Sequence, residues 1–217
     1  TGRSVIIFEG SGANIPGLRD YSILNNKTYQ YWFYCFNTLE DNSIALQTYV
    51  SNEIKTHFDE WVLMEVEASE DKDNNIQEGI YKCRNQYAFA MNINSGTINN
   101  GNTPSTSIAA GRYPTIQMDT SNYWQGTLSA LLGMMSSTIR YDQTVAMEEE
   151  FRNLSNSSYK KFLKDKDGHI WEVELSATPA LEAKENVWVN GVYKTLRSKQ
   201  LNWVQTGNAD YISIINK

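Results

Sequence analysis

Histidine, cysteine and proline are all scarce here: two, two and four residues in a chain of 217. His57, His169, Cys35 and Cys83 are the whole stock of nitrogen and sulfur ligands. A tetrahedral zinc site would use most of it, and the spacings fit no zinc pattern. The phosphate-cradling loop, the dinucleotide Gly-x-Gly-x-x-Gly and the nucleophile elbow Gly-x-Ser-x-Gly are absent. No apolar run approaches the ~20 residues of a helical membrane span. Positive charge is short as well: 19 Lys and Arg face 25 Asp and Glu, a net charge of −6. Phosphate backbones are held by clustered cations, so a nucleic-acid partner is not expected. The acidity serves solubility.

What is abundant is β-forming. Aromatics make up 12% of the chain, with 13 Tyr and 6 Trp, and side chains of this kind suit pleated, half-buried surfaces. A hydrophobic content of 41% supports a real core. Asn, Ser and Thr are frequent and favour turns. No signal-peptide pattern is visible. The chain passes from Thr1 almost at once into strand-like Ser4–Phe8, so we expect a fragment or processed piece of something longer.

Along the chain, Glu9–Pro16 reads as a Gly-rich turn region and Asp20–Leu24 as a strand ending at the turn signal Asn25-Asn26. Tyr29, Tyr31, Phe33 and Cys35 share one face of the next strand, and Trp32, Tyr34 and Phe36 the other. A strand apolar on both faces is expected to be covered on both, inside a sandwich or against a neighbour. Ile44–Val50 and Trp61–Glu67 are further strands, and Ser69–Asn75 a polar loop. Gly79–Cys83 and Gln86–Ile93 read as a hairpin about Arg84-Asn85. Asn94–Ser107, of low complexity and with the turn signal Asn100-Gly101, reads as a mobile or partner-ordered loop. Arg112–Met118 is strand-like, and Trp124–Leu132 is ambiguous between strand and helix.

Thr144–Leu154 is the best helix: Thr144 can cap it, and Met147, Phe151 and Leu154 share a face. Glu148–Glu150 suit its first turns electrostatically. A hairpin over 159–175 follows, with Trp171, Val173 and Leu175 on one face and Glu172 and Glu174 on the other. Ser176–Glu185 reads as a loop, then Val187–Val189 with the turn Asn190-Gly191, then Leu201–Gly207.

Candidate chemistry is thin. Asp165-Lys166-Asp167-Gly168 resembles a calcium loop in composition only. An EF-hand needs Gly at position six and Glu at twelve, where this sequence has Gly at four and Ser176 at twelve. A tight Asp-Gly turn explains it. His57 and His169 are expected at the surface and the two cysteines as buried free thiols. Glu9, Glu65, Glu67, Glu172 and Glu174 lie on or beside strands at positions whose alternation reads as solvent-facing, not as a glycosidase pair. Asn26, Asn153 and Asn156 head glycosylation patterns that an Asn-rich chain produces by chance.

The run Phe162-Leu163-Lys164-Asp165-Lys166-Asp167-Gly168-His169-Ile170-Trp171-Glu172-Val173 follows a short helix and precedes Leu201-Asn202-Trp203-Val204-Gln205-Thr206-Gly207. This pattern resembles the end of tail-tip and baseplate structural proteins of tailed bacteriophages, of the distal tail type found with low-GC Gram-positive hosts. Asn25-Asn26-Lys27-Thr28-Tyr29-Gln30-Tyr31 is similar to a strand of the immunoglobulin- or fibronectin-like modules in such proteins. The resemblance implies a virion tail protein without catalytic residues or cofactor. It implies a homo-oligomer of three or six copies bound to tube, hub or receptor-binding proteins.

The expected fold is mainly β, built of β-sandwich modules. Residues 1–85 would form an immunoglobulin-like sandwich, and residues 86–217 a second β module with a helix near 144–154 and the hairpin 159–175. Tyr29, Tyr31, Trp32 and Tyr34 on the two-faced strand, with Asn100 and Gly101 in the loop, are the expected partner contacts, the other reading of that strand being sandwich burial. A carbohydrate- or receptor-binding module of the same virion is the alternative function, taking a host surface glycan. A wall-degrading enzyme with two facing carboxylates is a further rival.

Overall fold

A computed structural model describes residues 19–38, 44–70, 76–89, 91–94, 98–101, 105–107, 115–117, 122–131, 141–175, 180–189, 191–207 and 213–216. The expectations for Ser4–Phe8 and Glu9–Pro16 lie outside them.

The described residues form seventeen strands and one helix, a mainly β fold. In the first half come β1 (Arg19–Asp20), β2 (Thr28–Tyr29), β3 (Trp32–Thr38), β4 (Ile44–Val50), β5 (Ile54–Lys55), β6 (Trp61–Glu70) and β7 (Ile76–Phe89). Five follow before the helix: β8 (Met91–Asn94), β9 (Ile98–Asn100), β10 (Ser105–Ser107), β11 (Thr115–Gln117) and β12 (Trp124–Leu131). After α1 (Tyr141–Asn156) come β13 (Lys160–Lys164), β14 (Ile170–Leu175), β15 (Ala180–Val189), β16 (Val192–Gly207) and β17 (Ser213–Asn216).

One eleven-stranded sheet runs β1-β17-β7-β6-β13-β14-β16-β12-β8, with β15 added beside β16 and β9 beside β12. All its pairings are antiparallel except β17 with β7. This sheet takes strands from both sides of residue 85, where a division was expected, and β7 passes straight through that position.

The centre of the sheet is apolar on both faces. On one face Trp61, Leu63, Tyr87, Phe89, Leu163, Trp171, Val173, Leu201 and Trp203 form the main core under α1. Phe151 and Leu154 of the helix are buried against them, so the i, i+4, i+7 stripe does what its spacing predicts. The rings interlock: Trp171 lies 5.2 Å from Trp203, and Phe151 meets Tyr87 edge-on at 5.0 Å. On the other face Met64, Val66, Cys83, Phe162 and Ile214 make a second cluster.

The helix is longer than expected, and Thr144 lies inside it rather than capping it. Its last turn holds no basic residue. Instead Lys161, buried on β13, donates to the Ser157 and Tyr159 carbonyls at 2.6 and 3.0 Å, just past the helix end. That places a cation where the helix dipole favours one.

Several expected boundaries move for identifiable reasons. Arg84-Asn85 is not a hairpin turn but a β-bulge in a continuous strand: Glu65 pairs with Asn85 and Val66 with Cys83, leaving Arg84 extra. The bulge switches faces, so Cys83 serves the second cluster while Tyr87 and Phe89 serve the main core. Asn94–Ser107, expected as a mobile or partner-ordered loop, contains β9, paired to β12, and β10, paired to β11. Asp20–Leu24 is strand only at Asp20, and of Arg112–Met118 the described residues Thr115–Gln117 are strand β11, the others lying outside the described residues. The expected loop Ser176–Glu185 is strand from Ala180, and Ser69 belongs to β6. Of Trp124–Leu132, the described residues Trp124–Leu131 resolve to strand because β12 pairs along the whole of its length with its neighbours. Of the expected turn Asn190-Gly191, Asn190 lies outside the described residues; Val189 pairs with Val192, and Gly191 takes a φ of 77°.

Candidate functional site: an uncharged apolar arm

β3 and β4 form a two-stranded sheet of their own, separate from the main sheet. The ribbon continues inward through the β2–β5 pair and then to Asn26 and Thr56, whose backbones bond at 3.2 Å. Residues 26–38 and 44–56 thus form one antiparallel arm.

Its root is polar and locked. Asn25 is buried, and its amide nitrogen donates to the Phe58 carbonyl at 2.7 Å and the Lys166 carbonyl at 2.5 Å. The Asn25 side-chain oxygen accepts the Phe58 amide at 2.9 Å. Thr56, also buried, donates to the Leu24 carbonyl at 2.6 Å. Lys166 belongs to the Asp-Gly turn, where Asp165 Oδ1 accepts the amides of Asp167, Gly168 and His169 at 2.9, 2.8 and 2.7 Å. Gly168 sits at φ 101°, a conformation that side chains rarely adopt. Lys164, buried beside this turn, donates to the Tyr21 and Ile23 carbonyls at 3.1 Å each, and burial lowers its pKa. The turn that reads in sequence as a metal mimic is therefore the socket of the arm.

The arm itself is unlike its root. Register pairs Trp32 with Val50, Tyr34 with Thr48 and Phe36 with Leu46. One face carries Trp32, Tyr34 and Phe36 beside Ile44, Leu46, Thr48 and Val50. The opposite face carries Phe33, Cys35 and Asn37 beside Ala45, Gln47 and Tyr49. Neither strand holds an Asp, Glu, Lys, Arg or Pro. Trp32 is 56%, Tyr34 55%, Phe36 67% and Ile44 70% exposed. The strand expected to be covered on both faces is open on both, because within the described residues it pairs only with β4.

Burying such a side chain contributes about 1.5–3 kcal/mol, and here that contribution is forgone several times over. Among the described residues nothing in the fold accounts for an apolar row left in water. A lone two-stranded hairpin is marginal in water, and both of its strands are edges without the charges or prolines that blunt edges.

The expected contact residues divide accordingly. Trp32 and Tyr34 are on the arm, their rings stacked with centroids 6.4 Å apart. Tyr29 and Tyr31 are half-buried at its base. The Tyr29 hydroxyl accepts the Leu24 amide at 2.8 Å, and the Tyr31 hydroxyl donates to Asp20 Oδ2 at 3.0 Å. Burial, then the Asp20 carboxylate, push the Tyr31 phenol well above its ordinary pKa. Asn100 and Gly101 lie elsewhere, beside β12: Asn100 pairs with Trp124, and buried Gly101 packs against the Tyr123 ring. Phe36, Ile44, Leu46 and Val50 complete the ring face; their signal in the sequence was the alternation of Ile44, Leu46 and Val50 opposite the Trp32, Tyr34, Phe36 row.

The carboxylates are otherwise engaged. Glu65, expected in solvent, is buried at the bulge. Glu67 is paired with Arg84 and, at 3.2 Å, with Lys82, which together hold its carboxyl below the usual range. Half-buried Glu172 pairs with Lys160 at 2.9 Å. His57 and His169 are exposed. Among the described residues no three His, Cys, Asp or Glu side chains gather as a metal site, and no helix is long and apolar enough to cross a membrane. An open hollow of about 370 Å³ lies over β9, β12 and β16, lined by Asn99, Gln125, Thr127 and Asn202 among others.

Cys35 corrects a further expectation: it is exposed on the arm, whereas Cys83 is buried. Burial and the Glu65 charge push the Cys83 thiol up to about 11. A maleimide should therefore label one thiol per chain in the native state and two after urea denaturation. Two fast thiols in the native protein would contradict the burial of Cys83.

No protein-family model matches the chain, and a search of curated proteins finds no match.

Proposed function

We propose that this protein is a structural subunit of a phage tail tip or baseplate, or of a related phage-tail-like particle, and that it joins its neighbours through the arm. The observation that carries the reading is the uncharged, exposed apolar ribbon β3–β4 on a locked polar root. Obligate interfaces resemble a protein core cut in half, and this ribbon has that composition. The motif resemblance around 159–175 and 201–207 supplies the tail setting, with tube, hub and receptor-binding proteins as neighbours. The role requires no catalytic residue or cofactor.

The open hollow supports a second reading, a glycan-binding module. Its carboxamides at Asn99, Gln125 and Asn202, with the Thr127 hydroxyl, can hydrogen-bond sugar hydroxyls. Light scattering after gel filtration, run beside a glycan array, separates the two. The assembly reading expects a defined oligomer and no saturable glycan binding. A stable monomer that binds a glycan saturably would sink it.

A further inference from the structure

The ring face of the arm has a composition that selects its occupant. Resting on the assembly reading, we infer that it packs against the same face of a second copy of this chain.

Three observations lead there. The first is area. Aromatic side chains offer ~150–250 Å² each; at the exposures of Trp32, Tyr34, Phe36, Ile44, Leu46 and Val50 the face presents on the order of 600 Å². Two such faces bury about 1,200 Å², the lower bound of a standard specific interface. The second is charge. A partner of another kind is commonly chosen by charge pattern, and this face has none. Interfaces between identical copies are the more apolar ones. A bilayer fits less well: a membrane-spanning strand needs about 9–11 residues, these strands have seven each, and neither carries a cation for lipid headgroups.

The third is shape. All three rings stand on β3, and the branched aliphatic side chains stand on β4. Stack two arms face to face, ~10 Å apart as packed sheets are, with a two-fold axis parallel to the strands. The aromatic row of each copy then lies over the aliphatic row of the other. The face is self-complementary under that one operation, as an isologous contact demands. Such contacts take copies in pairs, which favours six copies over three for the assembly. Cys35, on the opposite face, stays outside the contact.

The test uses the whole chain in analytical ultracentrifugation with parallel maleimide labelling. The native chain should self-associate with Cys35 still reactive in the associated form. Tyr34→Lys combined with Phe36→Lys should weaken association by at least about 100-fold, since it places charges in a desolvated contact. Phe33→Lys, on the opposite face, should change it by less than about 3-fold. Circular dichroism spectra of the variants should match that of the native chain, because these side chains are exposed in the monomer. An oligomer that Phe33→Lys breaks, or in which Cys35 is protected, overturns the proposal and leaves the assembly reading intact. A monomer overturns the proposal. A monomer that also sediments with neutral phosphatidylcholine vesicles or binds a glycan overturns the assembly reading with it.

Discussion

Replacing Asp165 by alanine is expected to lower folding stability by about 3–4 kcal/mol, the cost of orphaning three backbone donors that a charged acceptor now satisfies. Asp165 is buried, and its Oδ1 gathers the amides of Asp167, Gly168 and His169, while its Oδ2 meets His169 Nδ1 at 2.8 Å. Without that carboxylate the turn loses the geometry that presents the Lys166 carbonyl to Asn25. The root of the arm should loosen along with the turn, so proteolysis within 26–56 should quicken. Asp165→Asn keeps an oxygen for the three amides and gives up only the charge and the His169 contact, so it should cost about 1 kcal/mol. Urea unfolding of both variants decides the matter. Equal losses, or a loss under about 1 kcal/mol for alanine, would mean that the turn holds itself and the acceptor is incidental.

How much of this was legible beforehand follows from the range of the interactions. The 159–175 hairpin was readable because its signals are local: alternation over Trp171 and Val173, and an Asp-Gly turn. The helix stripe was readable for the same reason. The socket was not, because the Asn25–Lys166 bond spans 141 residues and nothing in either neighbourhood announces the other. The bulge at Arg84 was misread since Arg-Asn fits a two-residue turn as well as an irregular strand; only pairing with β6 distinguishes them. The arm shows a different kind of limit. Its apolar faces are legible in the sequence as a strand covered on both sides, but whether that cover is a sandwich or a neighbour is not. Periodicity reports what a strand is made of; it does not report what lies opposite. Glu65 errs the other way, a charge on a strand read as solvent-facing and found buried.

Lys199 yields the second large effect, and its sign is opposite to that of most buried carboxylates. The residue is buried on β16 under α1, with Nζ 3.6 Å from the Phe151 ring centroid and 5.3 Å from that of Tyr87. One long hydrogen bond, 3.4 Å to the Glu148 carbonyl, replaces its hydration. Cation–π attraction offers about 2 kcal/mol when desolvated, whereas desolvating an ammonium costs several. Desolvation wins: it lowers the Lys199 pKa from 10.5 to about 7, against the pull of the Glu148 and Glu150 carboxylates. Glu148 is in turn partly engaged by Arg197 at 3.3 Å. Between pH 7 and 10.5 the unfolded chain holds the lysine proton and the folded chain does not, so stability should rise with pH by up to about 1.4 kcal/mol per unit. Below pH 7 both states are protonated and the contribution is flat. Above pH 10 the slope should reverse, because Tyr29, Tyr31 and Tyr87 have folded pKa values raised above 10.0 by burial, and the stability they contribute is lost as the unfolded phenols ionise. Lys199→Met keeps the buried stem and removes the ionisable head. At pH 6 it should be more stable than the native chain by about 2–4 kcal/mol, and the advantage should shrink as pH approaches 10. Guanidinium unfolding at pH 6, 8 and 9.5 reads this directly; parallel pH profiles for the two proteins would show that Lys199 stays charged beneath the helix.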